Sequence, residues 1–179
     1  MLVAKQKRKE NIAEYILYLY QVENLIRAFR LDMQLIEDHL VQQYDADEKT
    51  KNDIKAWYKN LVLMMQKEGV EKKGHLQFLA NLISELNEFH LRLMQTGVDK
   101  MYTSTYQAVS GIVNELRQKN ASSVNVVQVA LDGIYGYLLL KIQNKPVTEE
   151  TEAAVQRLSQ WLGYLSKNYK DFESGDLEL

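Results

Sequence analysis

Three groups of residues in this chain have types and spacing that could do chemistry. They are the histidines His39, His75 and His90, the charges Glu23, Arg27 and Arg30, and Asp132 in a long apolar run. A di-iron bundle would need Glu-x-x-His on two helices. The residues three places before the histidines are Ile36, Lys72 and Asn87, so that motif is absent. Glu71 and His75 are four apart, but they stand at a lysine-rich helix start and read as solvated. The chain has no cysteine, which removes thiolate nucleophiles, disulfides and zinc–cysteine or iron–sulfur ligation together. No metal and no cofactor is expected.

His90 falls in the middle of an apolar face, between Leu86 and Leu93. It reads as a neutral core histidine bonded to a tyrosine or carbonyl, or else as an acid–base or ligand group in a pocket. Glu23 and Arg30 fall inside the apolar arc of a helix, and Glu23 and Arg27 have ion-pair spacing. A buried charge is costly unless paired, so an internal salt-bridge cluster is the simpler reading and an anion-recognising pocket the other. Asp132 belongs to a thin polar seam with Asn125, Gln128 and Gly136. If their helices converge, Glu23, Arg27, Arg30, His90 and Asp132 form a polar pocket.

No catalytic residue is assigned. Ser110-Gly111 lies on a helix and is no nucleophile elbow. Gly133 and Gly136 follow no strand, so they suggest close helix packing rather than a phosphate cradle. Among the 11 tyrosines, Tyr15, Tyr58, Tyr102, Tyr106 and Tyr169 follow core faces. Leu17, Tyr20, Tyr135 and Tyr164 stray from them and mark a candidate interaction surface, with a homodimer or another protein as the partner. Lys5, Lys7, Arg8 and Lys9 form a short basic arm that reads as a solvated helix start, or else as a weak phosphate contact. With a formal net charge of −2 overall, no nucleic-acid partner is expected.

The elements that must position these residues are helices. One proline and eight glycines in 179 residues favour long helices over a turn-rich β fold. Ile12, Tyr15, Leu19, Val22, Ile26 and Phe29 share one face of the first helix. A second runs from Asp32 to about Tyr44, and a third carries Ile54, Trp57, Tyr58, Leu61, Met64 and Met65 inward up to Gly69. A fourth places Leu79, Leu82, Ile83, Leu86, Phe89 and Leu93 together before Gly97. The fifth uses Met101, Tyr102, Val109, Ile112, Val113 and Leu116, with Asp99 placed to cap, and then Asn120 to Ser123 reads as a loop ending in a Ser123 cap. The sixth, VNVVQVALDGIYGYLLLKI, is apolar nearly all round and therefore central. After Pro146, Thr148 caps a helix bearing Val155, Leu158, Trp161, Leu162, Leu165 and Tyr169.

Short links between these segments imply antiparallel neighbours. The expectation is an all-α, antiparallel bundle of six or seven helices, a single domain over 1–172 with a flexible tail at 173–179. Residues 11–29 are oily but carry Glu14, Glu23 and Arg27, so they read as a core helix and not a membrane anchor. The basic start lacks the apolar run and small-residue cleavage site of a signal peptide, and the cytoplasm is the expected location.

The N-terminal run AKQKRKENIAEYIL resembles the opening of a bacterial domain-of-unknown-function family whose members have about this length. The resemblance implies a small bacterial single-domain protein and brings no activity with it. The expected function is a non-enzymatic protein-interaction or self-associating helical protein. The alternative is a small-molecule-binding bundle with the internal polar pocket.

Overall fold

A computed structural model describes residues 2–119 and 123–179. Among them stand eight α-helices and no strand. The helices are α1 (Leu2–Glu10), α2 (Ile12–Ala28), α3 (Met33–His39), α4 (Glu48–Lys67), α5 (Gln77–Thr96), α6 (Lys100–Lys119), α7 (Val126–Ile142) and α8 (Glu149–Ser174). A 3₁₀ turn, Val41–Gln43, follows α3. The starts are set locally. Asn11, Asp32, Asp47, Asn125 and Thr148 each accept a backbone N–H of the first turn through the side chain. Gly97 and Gly175 close α5 and α8 in the left-handed conformation that glycine adopts without strain.

Four expectations are corrected. Residues 2–10, read as a solvated helix start, form a separate helix that brings the count to eight, and the Asp32–Tyr44 segment breaks at Leu40 into α3 and the 3₁₀ turn. α8 runs on to Ser174, and Leu177 and Leu179 pack against the core. Asn125, not Ser123, caps α7, because its side chain accepts the Gln128 N–H while the Ser123 hydroxyl turns to Asp132. Met101 was expected inward but is 60% exposed in the first turn of α6, and Tyr102 beside it takes the buried place. Asn120, Ala121 and Ser122 of the expected loop lie outside the described residues.

Apolar side chains gather in two cores. The larger is built by α2, α5, α6, α7 and α8, around Ile16, Leu86, Tyr102, Leu131 and Trp161. α7 touches four of the other helices, α2, α5, α6 and α8. That explains why its sequence is apolar on nearly every side. The smaller core joins the end of α2 to α3, the 3₁₀ turn and α4, around Val22, Ile26, Ile36, Tyr58 and Met65. α2 is the shared element: Ile12 to Tyr20 feed the first core, Val22 and Ile26 the second. No helix among the described residues is long and apolar enough to cross a membrane.

Candidate functional site

Where α2 passes from one core to the other, its inward face carries Glu23, 1% exposed between apolar neighbours. Three partners hold its carboxylate. His75 Nδ1 donates to Oε2 at 2.6 Å, the Leu76 N–H donates to Oε1 at 2.9 Å, and the Arg27 guanidinium stands 3.9 Å away. The Leu76 bond explains an omission at α5. That 20-residue helix has no side-chain cap of its own. Glu23 from α2 takes the Leu76 N–H, and Glu68 from just after α4 takes the Gln77 N–H at 2.6 Å. Two carboxylates therefore sit at the positive end of the α5 dipole.

Arg27 fastens the connection that precedes α5. Its guanidinium donates to the Val70 and Gly74 carbonyls and to Asn24 Oδ1. Asn24 in turn donates to the Tyr135 hydroxyl at 2.7 Å, and Tyr135 donates to the Tyr20 carbonyl. The Tyr20 ring lies flat on His75, with centroids 3.8 Å apart and planes 13° apart. The imidazole is thus fixed by a carboxylate at one nitrogen and by an aromatic face. Asp132 completes the junction from α7. Burial raises its carboxyl above the usual range, opposed by the Ser123 hydroxyl at 2.8 Å, the charge of His75 and the nearby Tyr20 hydroxyl. That Tyr20 hydroxyl is buried, its own ionisation pushed up by burial, and it has no partner in bonding geometry.

The sequence-derived set therefore divides. Glu23, Arg27 and Asp132 come to one junction. Arg30 does not: α2 has already ended, and Arg30 and Leu31 adopt left-handed backbone with φ of 54° and 60° while the Leu31 N–H returns to the Ile26 carbonyl. The Arg30 side chain is exposed. His90 lies about 20 Å further along α5. There Nδ1 shares a hydrogen bond with the Tyr102 hydroxyl, and the ring meets Tyr106 and Trp161 edge-on at 4.4 and 5.4 Å. Burial lowers its pKa to about 4, which keeps the imidazole neutral.

His75 is the junction residue that sequence reasoning placed in solvent. It is half-buried because Glu23 and Tyr20 claim it from 52 and 55 positions away, and no local signal announces such a partner. Of the expected interaction residues, Tyr20 alone is buried. Tyr20 is 1% exposed and packs in the core, while Leu17, Tyr135 and Tyr164 are partly buried against it. The exposed apolar side chains of α7 are Leu138, 39% exposed, and Ile142, 64% exposed. No group of three or more His, Asp or Glu side chains among the described residues could hold a metal ion.

These features define an all-α bundle with a buried polar junction. The chain belongs to the family described as domain of unknown function DUF4924, whose model matches residues 1–176. No curated protein matches it, and no solved structure does.

Proposed function

We propose that this chain is a non-enzymatic protein-interaction protein that self-associates through the C-terminal half of α7. The observation that carries the reading is an apolar stripe that outruns its cover. Leu131, Ile134 and Tyr135 lie on the core-facing side of α7, and the 3.6-residue period carries that side on to Leu138 and Ile142. Leu131 and Ile134 are buried, whereas Leu138 and Ile142 are left in water. An exposed apolar continuation of a core face is the kind of surface a partner covers. A two-fold dimer would lay one stripe against its copy, the commonest arrangement for soluble homo-oligomers.

The test is the mass of the native protein across concentration, followed by Ile142→Lys and the Leu138→Lys, Ile142→Lys pair. A dimer for the parent chain, weakened at least tenfold by the charged variants with unchanged helix content, supports the reading. A parent chain that stays monomeric at high concentration rules it out.

A second reading, small-molecule binding at the polar junction, is favoured by the unpartnered Tyr20 hydroxyl beside the raised Asp132 carboxyl. It expects a bound small mass on protein taken gently from its expression host, lost in Asp132→Ala. A bare chain mass from every preparation removes it.

A further inference from the structure

We infer that α1 is an exchangeable strap: it swings out about Asn11 and seats in the equivalent groove of a second copy of this chain. This surface lies away from the α7 stripe and stands independently of it.

The attachment of α1 is weak. Of its described side chains only Ala4 is buried. Clefts of about 420 and 390 Å³ flank it, one between Lys5 and the Asp45, Asp53 and Ile54 side, the other between Arg8 and Tyr15 with Trp57. What fastens it is largely polar and at the surface. Arg8 bridges both oxygens of Glu173 at 2.9 and 2.7 Å, its guanidinium lies 5.8 Å from the Tyr169 ring centroid, and Lys7 pairs with Glu14 at 3.0 Å. Exposed ion pairs hold weakly, and few buried apolar contacts mean easy local opening. A nine-residue helix is also too short to be stable alone, so a released α1 needs either α2 or a new surface.

The hinge is one residue long and its hydrogen bonds are nearly interchangeable. The Asn11 N–H already donates to the Lys7 carbonyl, and the Tyr15 N–H to the Asn11 carbonyl, as in an unbroken helix. The kink is held by two substitutes: the Ala13 N–H donates to the Ser166 hydroxyl, and the Glu14 N–H to the Asn11 side chain. In a straight helix those donors turn to the carbonyls of Lys9 and Glu10. Straightening thus trades side-chain acceptors for backbone ones and fuses α1 and α2 into one rod. α1 then points away from its own groove and is presented to another. The occupant is a second copy because the groove already fits α1 and because Arg8 and Glu173 are carried by the same chain. Exchange of an identical element through a short hinge is a low-cost route to a dimer.

Charge reversal tests this directly. Chains carrying R8E or E173R each repel their own strap, but a mixture satisfies both pairs only by exchanging α1. Both are made with I142K, so that loss of α7 pairing and loss of strap exchange read separately. R8E/E173R in one chain is the folded control with the pair restored. Native mass spectra of the equimolar mixture should show heterodimer about tenfold above either homodimer. Asn11→Ala, which favours the straight helix, should raise the dimer fraction of chains with the parent Arg8 and Glu173. A mixture that remains monomeric while R8E/E173R folds normally, or an Asn11→Ala chain with no more dimer than the parent, overturns the proposal.

Discussion

Glu23→Ala is expected to lower stability by about 3 kcal/mol, the scale for breaking a buried ionic cluster by removing one partner. Glu23 is almost wholly buried and is the acceptor for both His75 and the Leu76 N–H. Alanine leaves that N–H without its partner at the start of α5 and leaves His75 stacked on Tyr20 with no carboxylate. Glu23→Gln keeps one carbonyl acceptor and should recover about half of the loss. Urea unfolding of the parent and both variants measures the difference. Hydrogen exchange should show the loss concentrated at residues 70–80, because Arg27 and Glu23 tie that segment to α2. A Glu23→Ala protein within 0.5 kcal/mol of the parent would show that the cluster does not hold the two cores together.

His90 makes the protein acid-sensitive before its carboxylates matter. The buried imidazole has a pKa of about 4, against the usual 6.5 of an unfolded chain. As pH falls below 6.5 the unfolded state takes up a proton that the folded state refuses, so the stability it confers above 6.5 is lost down to pH 4. Over that window the loss is about 3 kcal/mol. His90→Phe keeps the ring among Tyr106 and Trp161 and removes the titration. Its stability should therefore fall less steeply between pH 6.5 and 4, by about one proton in the slope. The subtraction of the two curves isolates His90 from Asp99 and Glu173. The Arg8 guanidinium holds the Glu173 carboxyl below its usual range against the effect of burial. Asp99 is also lowered, burial being outweighed by bonds from the Tyr102 N–H and the Asn168 amide. Parallel curves for parent and variant would mean that His90 takes its proton in the folded protein as readily as in the unfolded one.

The all-α class was legible in the residues because it depends on local rules. Period 3.6, the cap residues Asp32 and Thr148, and the terminal glycine at Gly97 act within a few positions of themselves. The burial of Glu23 was legible for the same reason, since it shares a face with Leu19 and Ile26. The sequence by itself therefore determined the all-α class, most of the inward faces and which charge would need a partner.

Which partner it found was decided only by tertiary structure. His75 meets Glu23 across 52 residues, Asp132 arrives on α7, and Arg8 reaches Glu173 across 165 residues. None of these approaches leaves a periodic trace, because each depends on how whole helices cross. The same crossing put Tyr20 inside, left Leu138 and Ile142 outside, and separated His90 from the junction by the length of a helix.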